Sequence, residues 1–304
     1  MQDKVDIVMA TYNGAEYISQ QIRSLQNQTI RNWHLLIHDD GSTDNTVPII
    51  KDFIRNDPRI QLIEDGKCLH DSGRNFLHAL RFSTAPFIIF CDQDDIWLEH
   101  KLEVLLNAFM KVDNSIPTAI ACNSYMYFDD KEKIEGKATI CFPRNLKEEL
   151  FMNSGVQGCA IMFNQVLRDI CLNTPDIIAM HDHLVTLAAL TFGKLHCIDQ
   201  NLMLYRRHSH TVTGYIEENK VQKAKKFLNR GKTVLSLPHL EAIKSFYHRN
   251  YEAMEPCSKE IFEDFFLMEK QGRLRNAIHA LFHHYSVMNS RWILFAKLLI
   301  RPLV

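Results

Sequence analysis

The chain has 304 residues, a length that suits one or two domains. Hydrophobic residues make up 46% and charged residues 23%, so the chain can bury a core without disulfides or a structural metal. The 35 basic and 36 acidic residues give a formal net charge of -1, which argues against a non-specific nucleic-acid binder.

The eight cysteines include no Cys-x-x-Cys pair, and the first residues enter a strand pattern with no secretory leader before it. We therefore expect reduced thiols and a cytoplasmic location. No uncharged apolar run reaches the roughly 18 residues that a membrane span needs.

Strand and helix patterns alternate over the first hundred residues. Compact apolar runs predict strands at Val5–Thr11, Trp33–Asp39, Ile60–Ile63 and Phe87–Cys91. Helical periodicity lies between these runs, where an Asn13–Glu16 capping box is expected, and again over Leu98–Val112. Short connections of this kind predict right-handed crossovers and a mostly parallel sheet with helices on both faces.

The rest of the chain divides near residue 215. Residues 113–215 predict strands at Thr118–Phe128 and Leu195–Tyr205, and helices at Leu146–Met152 and Leu184–Thr191. Basic residues and helical periodicity dominate afterwards. We predict an α/β domain over residues 1–215 and a helical extension over residues 216–304.

Polar clusters follow three of the predicted strands, where the ligand crevice of a parallel sheet lies. They are Thr11-Tyr12-Asn13, Asp39-Asp40 and Asp92-Gln93-Asp94-Asp95. Three carboxylates in four residues repel one another, and a hard divalent cation such as Mg²⁺ or Mn²⁺ would offset that cost. A solvated loop with aspartates that cap the next helix is the alternative.

Taken together, the segments Ala10–Gly14, Asp39–Asp44 and Asp92–Trp97 resemble the family 2 glycosyltransferases with the GT-A fold. The chain is also similar to the bacterial rhamnosyltransferase branch, which builds cell-wall and capsular polysaccharides. That similarity lies at Asn75, Gln157-Gly158-Cys159, Met180-His181-Asp182 and Tyr205-Arg206-Arg207-His208. The resemblance covers about residues 4–215, and its specificity comes from the order and spacing of the motifs.

The resemblance implies that residues 1–100 bind a nucleotide-sugar and that residues 101–215 bind the acceptor. Asp94 and His208 would ligate Mn²⁺ or Mg²⁺, and Asp182 would be the general base of an inverting transfer. The implied nucleotide-sugar contacts are Thr11, Tyr12, Glu16, Asp39, Asn75, Asp92, Gln157 and Gly158.

Three alternatives stay open for these residues. Asp182 could instead cap its helix, and Trp97 could stack on a sugar or pack in the core. A zinc site at the histidines near positions 181 and 208 lacks the usual ligand spacing. Where family members often carry aromatic residues after the base, this chain has His183 and Leu184.

We expect transfer of L-rhamnose from dTDP-L-rhamnose to a growing, lipid-linked polysaccharide. One alternative is a UDP-hexose or UDP-N-acetylhexosamine donor, and another is an inactive scaffold protein that only binds nucleotide-sugar. The basic segment Lys220–Lys232 and the apolar C-terminus are candidates for peripheral contact with the inner face of the membrane. Core packing or a homodimer would explain the same apolar helices.

Overall fold

The computed structural model describes residues 4–152, 156–207, 229 and 231–304. Its strands form one sheet in the order β3-β2-β1-β4-β8-β6-β9-β5, and β7 pairs with β6. The strands are β1 (Val5–Thr11), β2 (Trp33–Asp39), β3 (Ile60–Leu62), β4 (Phe87–Cys91), β5 (Ile96–Trp97), β6 (Thr118–Phe128), β7 (Lys133–Lys137), β8 (Ile161–Asn164) and β9 (Lys194–Arg207).

Helices cover both faces of this sheet and follow it to the C-terminus. Those in the described part are α1 (Ile18–Gln26), α2 (Thr46–Asn56), α3 (Ser72–Leu80), α4 (Lys101–Phe109), α5 (Leu146–Glu149), α6 (Gln165–Leu172), α7 (His181–Phe192), α8 (Leu237–Asn250), α9 (Pro256–Leu267), α10 (Arg273–Phe282) and α11 (Arg291–Ile300). No helix of the described residues is both long and apolar enough to cross a membrane.

The first four strands run parallel, as their patterns predict. Thr11 at the end of β1 lies opposite Asp39 at the end of β2, and Met9 lies opposite Cys91 at the end of β4. The other half of the sheet is mixed, because β8 runs antiparallel to both β4 and β6 while β6 and β9 are parallel. The register therefore brings the carboxyl ends of β1, β2 and β4 to one edge.

Burial on both sides explains why β1 is mostly apolar. Its one charged residue, Asp6, is buried and accepts hydrogen bonds from Thr84 N and Ala85 N. Val8 and Ala10 contribute to one hydrophobic cluster, whereas Val5, Ile7 and Met9 contribute to the other. The helices after residue 236 pack into the first of these clusters. The division near residue 215 stays a prediction, but the helices beyond it share a core with the sheet.

One local expectation is wrong, and one open alternative is decided. The capping box does not form: α1 begins at Ile18 after Tyr17, and the Asn13 side chain accepts a hydrogen bond from Thr43 N at 2.8 Å instead. Trp97 is buried under the ammonium group of Lys101, so its alternative role in the core is confirmed and sugar stacking is not. Asn13 contacts Thr43, and Trp97 N donates to Ser24 Oγ at 3.1 Å; local sequence patterns do not encode contacts this distant in sequence.

The junction of α7 and β9 gives a test of the fold. Gly193 lies so close to the backbone of Pro117 that a Cβ atom would collide with the Pro117 carbonyl group. We expect Gly193→Ala to lower the free energy of unfolding by about 2 kcal/mol, a typical cost of overpacking. Urea unfolding measures this loss.

Gly272→Ala is the matched control, because nothing lies within 4 Å of a Cβ atom at that position. A loss for Gly193→Ala no larger than that of the control would contradict the close approach of α7, β9 and the Pro117 backbone.

Candidate active site

The three polar clusters predicted at strand ends lie together. Thr11 Oγ1 donates to Asp39 Oδ2 at 2.7 Å and so joins the ends of β1 and β2. Gln93, in the loop after β4, accepts from Tyr12 N and donates to Tyr12 O, each at 3.0 Å. These bonds fix the mouth of a crevice at the carboxyl edge of the sheet.

Both oxygens of Asp39 are hydrogen-bonded. Oδ1 accepts from the backbone N–H groups of Gly41 and Ser42 at 3.2 and 2.7 Å, and Oδ2 accepts from Ser42 Oγ at 2.6 Å as well as from Thr11. Asp39 lines a pocket of about 410 Å³ whose other wall is the segment 62–68. The aspartate is therefore held rigidly at the edge of a cavity.

Asn75 lies behind this pocket. Its Oδ1 is 2.5 Å from His38 Nδ1, and its Nδ2 donates to His38 O at 3.3 Å. Asp65 lies 3.2 Å from His38 Nε2 and 2.6 Å from His78 Nε2. Burial opposes ionisation of Asp65, but the hydrogen bonds from His78, the Lys67 backbone and His38 together outweigh it and lower the pKa to about 2. Asn75 thus contacts the pocket through His38.

The acidic loop after β4 is fixed by an arginine from β9. Arg206 N donates to Asp95 Oδ1 at 3.1 Å, and Arg206 Nε donates to Asp94 O at 2.7 Å. The Arg206 guanidinium also contacts Asp129 and lies over the rings of Tyr17 and Tyr127. A buried cation therefore holds the backbone that carries the carboxylates.

Burial and mutual repulsion disfavour ionisation of these carboxylates. Burial, reinforced by Asp94, raises the pKa of Asp92 to about 7, and burial raises the pKa of Asp95 well above its usual range. The buried Lys101, which donates to Cys159 O at 2.7 Å, partly offsets the effect at Asp92.

The donor set at this loop fits a hard divalent cation. Asp92 and Asp95 each place a carboxylate oxygen within 4.8 Å of the other and of the Cys159 Sγ atom, and Asp95 Oδ2 is buried without a hydrogen-bond partner. The Cys159 thiol is soft, and burial raises its pKa, so the two carboxylates rather than the thiol suit a hard cation. Carboxylate oxygens are the ligands that Mg²⁺ and Mn²⁺ prefer. A cation here would remove the repulsion that raises the pKa of Asp92.

Asp182 lies on the first turn of α7, across the crevice. Met180 is the N-cap, so the capping alternative for Asp182 is wrong, and Asp182 Oδ1 accepts from His183 N at 2.7 Å. Burial raises the pKa of Asp182 to about 6, and its charge in turn contributes to the raised pKa of Asp92. The two carboxylates are therefore close enough to interact.

Gln157 and Gly158 pack beside Asp182. Gln157 Oε1 accepts from Ser124 Oγ at 2.5 Å. A Cβ atom on Gly158 would collide with His181 and would lie 3.3 Å from Asp182 Cβ. The glycine is thus what allows this turn to approach α7.

The remaining predicted residues are peripheral or undescribed. Tyr12 and Glu16 are exposed at the end of β1, and Glu16 is hydrogen-bonded to Tyr17. His208 lies outside the described residues, as does most of Lys220–Lys232.

Four residues that support the site have no role predicted from the sequence: Gln93, Lys101, Glu149 and Arg206. Glu149 is buried beside Asp182 with neither oxygen hydrogen-bonded, and burial together with Asp182 raises its pKa to about 8. Lys101 and Glu149 lie in amphipathic helix patterns, where charged residues normally mark the solvent face. Only the packing of their helices on the sheet shows that both side chains are buried.

The profile of the family described as "Glycosyl transferase family 2" matches residues 6–171. Among curated relatives, the chain is 40% identical over 108 residues to the UDP-Glc:alpha-D-GlcNAc-diphosphoundecaprenol beta-1,3-glucosyltransferase WfgD of Escherichia coli, covering 35% of this chain and 41% of that protein. It is 26% identical over 219 residues to the dTDP-rhamnosyl transferase RfbG of Shigella flexneri, covering 68% and 73%. The chain thus spans less than half of the first relative.

Solved structures share the fold across nearly the whole chain. TarS 1-349 of S. aureus in complex with UDP-GlcNAc aligns with a TM-score of 0.58 at 15% identity, covering 97% of this chain and 89% of that one. The mannosyltransferase PcManGT from Pyrobaculum calidifontis, in complex with GDP-Man and Mn²⁺, aligns with a TM-score of 0.53 at 14% identity, covering 97% and 86%. The predicted GT-A fold is confirmed.

Arg206 offers a test of how the acidic loop is held. Arg206→Gln leaves Asp129 without its cation and removes the charged donor to Asp94 O, so we expect the free energy of unfolding to fall by about 3 kcal/mol. Arg55→Gln is the control, because its ion pair with Asp52 is exposed and should contribute less than about 1 kcal/mol. Equal losses in denaturant unfolding would show that Arg206 does not hold the loop.

Proposed function

Because the match spans more than half of its residues, the chain belongs to glycosyl transferase family 2, and we propose that it catalyses an inverting, metal-dependent transfer of a hexose from a nucleoside diphosphate to a glycan. The observation that carries the proposal is that Asp182 and the acidic loop meet at one turn: a Cβ atom on Gly158 would lie 3.3 Å from Asp182 Cβ, and the next residue, Cys159, lies beside Asp92 and Asp95. One side of the crevice can hold a leaving diphosphate while the other accepts a proton.

In this proposal the nucleotide occupies the crevice between β1 and β2. Thr11, Tyr12 and Glu16 flank the base and ribose, and the pocket beside Asp39 receives the base edge. Asn75 acts by orienting His38 in the pocket wall. The two side-chain hydroxyl groups bonded to Asp39 can rotate, so one of them can give up its place to a base N–H.

Asp94, with Asp92 beside it and His208 as a further candidate, would hold Mn²⁺ or Mg²⁺. The ion would neutralise charge on the diphosphate as it leaves. The sugar lies between this loop and the turn formed by Gln157 and Gly158.

Asp182 acts as the general base. The acceptor hydroxyl oxygen forms a bond to the anomeric carbon while the bond to the diphosphate breaks, and the hydroxyl proton passes to the Asp182 carboxylate. A pKa of about 6 keeps this carboxylate ionised at neutral pH and still basic enough to accept a proton. Glu149, with a pKa of about 8, is neutral under the same conditions and does not repel it.

For the donor we propose dTDP-L-rhamnose, supported by similarity to the RfbG protein over 73% of its length. A UDP-sugar is the second candidate, which the names of the Escherichia coli relative and the TarS complex favour. A lipid-linked glycan acceptor, and with it polysaccharide synthesis, is proposed from the Escherichia coli relative, whose name includes a GlcNAc-diphosphoundecaprenol.

Nucleotide binding tests the donor. We expect dTDP with Mn²⁺ or Mg²⁺ to raise the melting temperature more than UDP does, because a ligand that binds only the native state stabilises it by about 2.7 kcal/mol at 100-fold excess over Kd. Differential scanning fluorimetry with and without metal measures the shift. A larger shift with UDP would move the donor to a UDP-sugar, and no shift with either would contradict the proposed site.

Substitution of the two carboxylates tests their roles. Asp182→Asn should keep metal-dependent nucleotide binding but lower kcat by about 10²- to 10⁴-fold, the usual contribution of a general base. Asp94→Ala should weaken metal-dependent nucleotide binding itself. Transfer assays and calorimetric titration measure the two effects.

Asp176→Asn is the control, because Asp176 is an exposed residue shortly before the same helix. In the unmodified protein, kcat should fall as the pH drops below about 6, since a protonated Asp182 cannot accept the hydroxyl proton. Full activity in Asp182→Asn would exclude it as the base. Absence of any transfer in the unmodified protein, with nucleotide binding intact, would favour the scaffold alternative.

A further inference from the structure

The end of the chain carries charge of one sign. Residues 271–304 include five lysines and arginines and no aspartate or glutamate, although the whole chain has a net charge of -1. Arg273, Arg275 and Arg291 of this region are exposed. Long segments of a soluble surface normally mix both signs, whereas the charged side chains of this segment are all basic. The acidic group against α10 is Asp264, which is paired with His279 and His283.

The same region exposes large apolar side chains along α10. Leu274, Ile278 and Phe282 are 63%, 43% and 74% exposed, and their spacing of four residues places them on one side of the helix. Ala277 and Ala280, on the opposite side, are buried in the core. Helix α10 therefore exposes its large apolar side chains and buries small ones, the opposite of an ordinary surface helix.

Helix α11 adds to this surface. Trp292 and Leu299 are 69% and 39% exposed and are seven residues apart, hence also on one side of their helix. The Trp292 ring meets that of Phe295 at 6.0 Å. Helices α10 and α11 pack against each other. We call the exposed residues Leu274, Ile278, Phe282, Trp292 and Leu299 the α10–α11 surface.

We propose that the α10–α11 surface docks on an anionic lipid membrane. Apolar side chains enter the boundary between headgroups and acyl chains, Trp292 suits that boundary, and the neighbouring arginines attract lipid phosphates. No aspartate or glutamate in residues 271–304 opposes the approach.

The charge pattern favours a membrane over a second copy of the chain. A symmetric dimer through this surface would place each patch against the same patch on the partner. Arginines would then meet arginines, with no aspartate or glutamate from residues 271–304 between them. An anionic leaflet supplies the missing negative charge.

The inference depends on the proposed function in one respect only. Under that function, membrane docking would bring the enzyme to a lipid-linked acceptor. Binding to lipid requires neither donor nor acceptor. Failure of the nucleotide experiment and failure of the membrane experiment are therefore distinguishable.

Co-sedimentation of the full chain with vesicles of phosphatidylglycerol and phosphatidylcholine tests the surface. We expect binding that needs phosphatidylglycerol and weakens with salt. Phe282→Ser should weaken vesicle binding by about tenfold or more, because it removes the free energy of burying one aromatic side chain. Arg273→Gln or Arg275→Gln should each weaken binding by about fivefold, because each removes one attraction to lipid phosphates.

Ile140→Ser is the matched control, because Ile140 is 84% exposed and lies outside the surface. It should bind vesicles as the unmodified protein does, and all variants should keep the melting temperature and nucleotide binding. No preference for phosphatidylglycerol vesicles, or equal binding by Phe282→Ser and Ile140→Ser, would overturn the proposal. So would a dimer in sedimentation velocity that Phe282→Ser dissociates.

Discussion

Carboxylates crowded at one buried edge of the sheet are the constraint on which this structure depends. Burial raises the pKa values of Asp92, Asp95, Asp182 and Glu149. The charge of Asp182 adds to the shifts at Asp92 and Glu149, and Asp92 adds to the shift at Asp95. Such an arrangement is stable only if fixed cations and hydrogen bonds hold the backbone beneath it. The end of β9 supplies this support, because Arg206 there donates hydrogen bonds to the acidic loop.

Lys101 is a second buried cation close to the acidic loop. It is fully buried at the start of α4, donates to Cys159 O and lies over the Trp97 ring. Burial lowers its pKa, while the nearby Asp95 favours its charged form. The ammonium group and the acidic loop therefore stabilise each other across β5, and neither would be tolerated alone in such surroundings.

The parallel half of the fold could be predicted from sequence because β1, β2 and β4 are short, mostly apolar runs between turns, a pattern typical of buried parallel strands. The mixed half could not, because the antiparallel position of β8 between β4 and β6 depends on pairings distant in sequence. Helix α4 begins at Lys101 rather than Leu98 for the same reason, since Ile96–Trp97 pairs with β9.

The candidate site divides in a similar way. The order of polar clusters at strand ends was sufficient to expect that Thr11, Asp39 and the acidic loop meet, because parallel strands end at a common edge. The residues that stabilise the cluster were not predictable, since a buried lysine and a buried glutamate have the same helical spacing as solvated ones. Their role appears only when the helices are packed on the sheet.

Asp39 shows why the motifs identify a family more readily than a donor. Its carboxylate already accepts four hydrogen bonds, two of them from the rotatable hydroxyl groups of Thr11 and Ser42. In the proposed function, a pyrimidine N–H at Asp39 would exchange one donor for another, so the net gain would be small and the same for uracil and thymine. Discrimination would then have to come from the thymine methyl group and the ribose 2′-hydroxyl. The pocket wall opposite Asp39 is formed by residues 62–68, where the sequence carries no family motif, so under this proposal the choice of base depends on residues outside the motifs.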